Sequence, residues 1–236
     1  LYFKGILKYR SYDPLWKGRD RLIMSKGQAS LALYAVLSEA GFFPENELDT
    51  FCRPGSVLGG EPKSGDISGV EASTGSLGHG LSYGLGMAMA YKMDNVKNQV
   101  YVIIGDGECQ EGSIWEAVMA GYNFKLDNLT VIMDNNKLQA MGTVKELMGI
   151  TGWAGRWMSF GWDVIQVDGH DIDEVGEALK TPNKKNKPRI IIADTIKGKG
   201  VSFMENVPIW HFRMPNEEEL KIVMEELDIL EEELII

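Results

Sequence analysis

Cysteine is scarce in this chain: 2 in 236 residues. Cys52 and Cys109 lie far apart and form no metal-ligand spacing, so free, partly buried thiols in a reducing cytoplasm are the plain reading. Positive charge is also in short supply. The 24 Lys and Arg stand against 34 Asp and Glu, a net charge of −10. That balance argues against nucleic acid and against an anionic membrane surface. A phosphate ligand would need its positive charge locally, from a metal ion, a helix N-terminus or backbone N–H groups. No run approaches the roughly 18 apolar residues of a membrane-spanning helix. Internal repeats, low-complexity linkers and a signal peptide are absent as well. The opening "LYFKGILKYR" reads as the end of an amphipathic helix, which predicts a further N-terminal piece before it.

What is present is 44% hydrophobic, enough for one sizeable core. "SKGQASLALYAVLSEAGFF" (25–43) predicts a helix capped by Ser25 and stopped at Gly41. Residues 53–76 are rich in Gly, Ser and Pro and read as loop. "LGHGLSYGLGMAMAYKM" (77–93) predicts a helix studded with glycine. Each mid-helix glycine costs roughly 1 kcal/mol relative to alanine, so something should pack close to this backbone. A regular alternation follows: strands at 99–105, 128–134, 161–168 and 188–196, with helices at 113–125 and 171–180. The continuous β-branched runs predict strands buried on both sides. The fold class is therefore α/β, a parallel β-sheet with helices on both faces. The expected division is a domain over 1–214 and an acidic amphipathic helical segment over 215–236.

Ligands of an open parallel sheet bind beyond the carboxyl ends of its strands. Two polar clusters stand there: Asp106 between Gly105 and Gly107, and Asp134-Asn135-Asn136. If their strands are neighbours, Asp106 and Asn136 meet. A carboxylate and a carboxamide oxygen suit a hard cation such as Mg²⁺, with the Leu138 carbonyl and a diphosphate completing the shell. A lone Gly-Asp-Gly is more often a turn; the pairing of two strand ends is more specific. Elsewhere, His170 reads as a loop residue capping a helix. Lys197 and Lys199 could approach a phosphate, though a solvated loop is the simpler reading.

"GDGE", followed thirty residues after Asp106 by Asn136 in "DNN", resembles the thiamine-diphosphate motif. "RDRLIMSKGQASLALYAVLSEAGFF", "GVEASTGSLGHGLSYGLGMA", "GDGECQEGSIWEAVMAG", "FGWDVIQVDGHD" and "TIKGKGVSFMENVPIWH" are similar to the N-terminal part of transketolase, over about residues 16–211. The nearest form is the separate N-terminal subunit of a split transketolase. The resemblance implies the thiamine-diphosphate-binding fold, with the cofactor and Mg²⁺ or Ca²⁺. Asp106, Asn136 and Leu138 would ligate the metal. Gly75, Leu77, Gly105, Gly107, Glu108 and Gln28 would line the cofactor, with Leu77 near its thiazolium ring. His211 would stand at the diphosphate and substrate entrance, and His79 would be a second catalytic histidine. Glu111 and Glu116 would lie at an interface linking cofactor sites; as residues of a helix start they read equally well as solvated.

Two family histidines are replaced. Gln28 in "KGQAS" can still donate a hydrogen bond. Glu61 in "GGEPK" would repel an anion, which leaves room for a substrate other than the usual sugar phosphates. In the family a second domain contacts the aminopyrimidine of the cofactor. Its function here would fall to a C-terminal, pyrimidine-binding subunit in an α2β2 heterotetramer, with no activity from this chain alone. The expected function is transfer of a two-carbon ketol unit from a ketose or its phosphate to an aldose, in cytoplasmic carbohydrate metabolism. The alternatives are a carboligase or 2-oxoacid-decarboxylating subunit using the same cofactor, and a non-enzymatic scaffold that has lost the chemistry.

Overall fold

The computed structural model describes residues 1–229. Its centre is a five-stranded, all-parallel sheet: β1 (Arg21–Met24), β2 (Val100–Gly105), β3 (Leu129–Asn135), β6 (Asp163–Asp168) and β7 (Arg189–Asp194). The strand order is β1-β2-β3-β7-β6. The strand pairings place Gly105 opposite Asp134 and Asn135 opposite Asp194, so both polar clusters sit at the same end of the sheet.

Strand alternation explains the two helical layers. Val100, Val102 and Ile104 point to one face, where α2 (His79–Met93), α3 (Gly112–Asn123) and α5 (Trp153–Ser159) cover them. Tyr101 and Ile103 point to the other, against α1 (Ser30–Glu39) and Leu179 of α6 (Ile172–Lys180). A small antiparallel pair, β4 (Leu138–Gln139) and β5 (Gly142–Thr143), hangs beyond β3 and leads into α4 (Val144–Met148). Thr143 and Glu146 form a capping box for α4.

Several expectations need correction. The opening residues form turns, not a helix. Gly5 takes φ +67 and the N–H groups of Ile6 and Leu7 fold back onto the Leu1 carbonyl, while Tyr2 and Leu7 are buried in the α1-side core. Residues 25–43 are not one helix. The ladder continues to Ser25, whose N–H donates to the Ile103 carbonyl; a 3-10 turn at Gly27–Ala29 follows, and α1 starts at Ser30. Gly27 lies on the Thr74–Gly75 backbone, where a Cβ would collide, and this contact shapes the turn. β1 escaped the sequence reading because four residues carry too little periodicity. Gly41 does stop α1, at φ +81.

Two glycines of α2 face the sheet rather than a ligand. A Cβ at Gly80 would strike Ser25, and one at Gly84 would strike Val102. His170 caps no helix: its Nε2 accepts the N–H of Ile196 at 2.8 Å, and Asp171 caps α6. The C-terminal helix α7 covers Glu217–Glu226 and is fastened where Glu226 accepts the N–H of Ser202 at 2.7 Å. The rest of the acidic segment, 230–236, lies outside the described residues.

Candidate cofactor site

A cavity of about 460 Å³ opens at the carboxyl ends of β1, β2 and β3. Of the residues singled out in the sequence, Gln28, Leu77, Gly105, Asp106, Gly107, Glu108, Asn136, Leu138 and His211 line it. Gly75 stands behind the wall, where its carbonyl accepts Nε2 of Gln28 at 2.8 Å. His79, the first residue of α2, is exposed and not part of the lining, and Glu111 and Glu116 are exposed at the start of α3.

Asp106 is 2% exposed. Its Oδ1 accepts the N–H of Gly107 and its Oδ2 the N–H of Lys137, both at 2.8 Å. Burial pushes its carboxyl up to about 6; neighbouring Asp134 pushes the same way, and the two N–H groups and Lys26 oppose. Asp134 is held below its usual value. Its burial is outweighed by the Lys26 ammonium and by hydrogen bonds from Thr195 and Asn136. Asn136 donates Nδ2 to Asp134 at 3.1 Å, which fixes the orientation of the amide. Its Oδ1 accepts the N–H of Leu138 at 2.9 Å and keeps a second lone pair.

The lining also includes Lys26, Ala29, Gln139, Ala140, Lys197 and Trp210. Lys197 is thus a wall residue and not a solvated one; burial lowers its pKa, and Lys26 adds to the effect. Lys199 fits the solvated reading, paired with Glu205 at 3.4 Å. His211 is also lowered, by burial first and then by Lys197 and Lys26. Lys26 escapes the sequence reading and Lys197 is left there between a phosphate contact and a solvated loop, because no local pattern tells an inward lysine from an outward one.

The donors available to a cation are oxygens: the Asp106 carboxylate, the Asn136 amide and the Leu138 carbonyl. Among the described residues no three His, Cys, Asp or Glu side chains cluster for a metal. A cation here would therefore lean on carbonyl oxygens and on a ligand's phosphates.

The sequence profile described as "Transketolase, thiamine diphosphate binding domain" matches residues 1–232. The chain belongs to the transketolase family. It is the N-terminal, thiamine-diphosphate-binding part of a transketolase-type transferase. The A-type subunit of the apulose-4-phosphate transketolase of Phocaeicola vulgatus is 44% identical over 238 residues, covering 99% of this chain and 84% of that protein. The 6-deoxy-6-sulfo-D-fructose transketolase subunit SqwG of a Clostridium species is 42% identical, over 97% of this chain and 83% of that protein. Among solved structures, the transketolase of Campylobacter jejuni superposes with a TM-score of 0.89 at 32% identity, covering 96% of this chain and 37% of that one. This transketolase-family chain thus spans little more than a third of that single-chain enzyme and most of the separate subunits.

Proposed function

We propose that this chain is the diphosphate-binding subunit of a transketolase that moves a two-carbon ketol unit from a ketose donor to an aldose acceptor. The observation that carries the reading is the convergence of Asp106, Asn136 and Leu138 with Lys26, Lys197 and His211 around one cavity. A diphosphate in a chain of net charge −10 needs local positive charge. A divalent cation, Mg²⁺ or Ca²⁺, held by Asp106, Asn136 and the Leu138 carbonyl would supply part of it, and Lys197 the rest. The residues fit such a group: a buried carboxylate, an amide oxygen aimed by Asp134, and Gly107 in the lining, where a Cβ would meet the Gln139 side chain at 3.2 Å.

When bound, thiamine diphosphate supplies the carbanion that attacks the donor's carbonyl. The chain's own residues hold and orient. Gln28 braces the loop at Gly75 by donating to its carbonyl. Leu77, 36% exposed, presents an apolar surface that excludes water. His211, lowered by burial and by its cationic neighbours, offers a neutral imidazole nitrogen that can accept a proton from a sugar hydroxyl. His79 sits outside this wall, and a role for it would require the partner.

The relatives named as subunits are covered over 83–84% of their own length; on that likeness the pyrimidine half of the cofactor would be bound by a separate C-terminal subunit, in an α2β2 assembly. Glu111 and Glu116, exposed at the start of α3, are the residues we assign to that contact. We place the domain boundary at 214/215, with α7 as an appended segment. No helix among the described residues is long and apolar enough to cross a membrane; with Cys52 and Cys109 unpaired, we place the protein in the cytoplasm.

The test is calorimetric titration of thiamine diphosphate with Mg²⁺ into this chain alone and with the C-terminal subunit, followed by a screen of ketose donors. Binding that requires the partner and is lost in Asp106→Ala supports the reading. No binding to the assembled complex would sink it and leave a scaffold. Glu61, whose carboxylate lies against Gly75, favours a second reading with the same cofactor and a different donor, a carboligase or 2-oxoacid enzyme. Turnover of 2-oxoacids but no ketose in the same screen would select it.

A further inference from the structure

Glu108 borders the cavity yet is 3% exposed, and both its carboxylate oxygens are occupied within the protein. Oε1 accepts the hydroxyl of Ser25 and, at 2.8 Å, the N–H of Gly78. Oε2 accepts the N–H of Gly105 at 3.1 Å. These donors stand on three separate walls. Ser25 follows β1 and precedes Lys26. Gly78 is the left-handed turn, φ +84, between Leu77 and α2. Gly105 ends β2, beside Asp106. Each donor is therefore the immediate chain neighbour of a residue that lines the cavity.

We propose that Glu108 is a positioning residue that ties the loops bearing Lys26, Leu77 and Asp106 into one wall, fixing the spacing of the cofactor site without contacting the cofactor. The proposal rests on the cofactor reading above. A carboxylate suits the task because three donors converge on it and it carries acceptors only. Glutamine has the same shape, but its NH₂ would face a hydroxyl and an N–H, or the N–H of Gly105. At least one donor would lose its partner in a site closed to water. On this proposal the part that the resemblance gives Glu108, lining the cofactor, becomes that of a tie at the edge of the lining.

The test uses the assembled complex with its C-terminal subunit: wild type, Glu108→Gln, Ser25→Ala and the double variant. Two quantities are read. One is affinity for thiamine diphosphate with Mg²⁺. The other is hydrogen exchange, in the cofactor-free complex, of peptides containing Gly78, Gly105 and, as a control, Val131 of β3. Glu108→Gln is expected to weaken binding by roughly 10- to 100-fold, the scale of one or two charge-assisted hydrogen bonds. Exchange should quicken at Gly78 and Gly105 and stay unchanged at Val131. Ser25→Ala should weaken binding several-fold and add little to Glu108→Gln, because it acts through the same carboxylate. Wild-type affinity in Glu108→Gln, or exchange that quickens equally at Val131, would overturn the proposal. Should Glu108→Gln fail to assemble, Ser25→Ala decides by the same two readouts. A wild-type complex that binds no cofactor would fail the functional reading instead, while the exchange pattern would still test the tie.

Discussion

Two hollows open at the carboxyl edge of the sheet, and the larger is the less informative. The cleft beyond β6 and β7 measures about 580 Å³, against about 460 Å³ for the cavity beyond β1–β3. In the larger cleft the polar groups serve the chain itself. His170 receives Ile196, Glu174 receives the N–H of Asp168 at 3.0 Å, and Lys137 lies 3.6 Å from Asp194. In the smaller one, burial first and charged neighbours second shift the groups: Asp106 is pushed up, and Lys197 and His211 are pushed down. Volume records where loops leave space. Burial of several charged groups around one point is the pattern that marks a candidate ligand site.

The widest separation between the two hollows should come from paired carboxylate variants. Asp106→Ala should weaken thiamine diphosphate binding to the assembled complex at least about 100-fold, since it removes the only carboxylate of the proposed cation site. Glu174→Ala, in the larger cleft, should leave that affinity within about twofold. Calorimetry on the pair checks both; equal effects would erase the contrast.

Lys197→Met should cost about tenfold in affinity, the scale of one charge-assisted contact to phosphate. Mutation of Lys199 to Met should cost almost nothing by the same titration. Lys197→Met should also raise the pKa of His211, which NMR can follow. The sign for the wild type is fixed by its direction. His211 titrates below its ordinary 6.5 in the folded chain, so the folded state binds fewer protons. Its contribution to stability is present above pH 6.5 and fades as pH falls through the folded value. A His211 pKa above 6.5 would break this account.

The smallest expected effect concerns the scaffold under the cavity. Gly84→Ala forces a methyl into Val102 and should destabilise by about 1–3 kcal/mol. Gly86→Ala, with nothing within 4 Å, should be neutral or stabilise by up to about 1 kcal/mol. Thermal unfolding of the two variants separates close packing from generic helix propensity.

These contrasts also indicate what could be read from the sequence. Strands β2, β3 and β7 were legible because burial on both faces leaves continuous apolar runs; β6, an edge strand with Gln166 and Asp168 exposed, was legible from its β-branched residues. The parallel sheet and the meeting of two strand ends followed from that. β1 was not legible: "RLIM" is short, and its neighbour Ser25 looks like a helix cap while its hydroxyl in fact serves Glu108. Gly80 and Gly84 of α2 signalled close approach correctly, but not whether sheet or ligand approached, and Gly86 meets nothing. Lys26 was hidden, and Lys197 left between two readings, because the direction of a long side chain is set by tertiary neighbours, not by its sequence context.

Trp210 has one more consequence. Four of the six tryptophans, Trp115, Trp153, Trp157 and Trp162, are gathered with Phe160 on the α5 side of the sheet, and Trp16 sits under Arg10 near the N-terminus. Trp210 alone borders the cavity, its ring between Phe203 and the Arg213 guanidinium, 4.4 Å from the ring centre. The chain thus carries its own optical gauge. Light emitted by Trp210 should change when a flat, charged ring enters beside it, while the other five give a steady background.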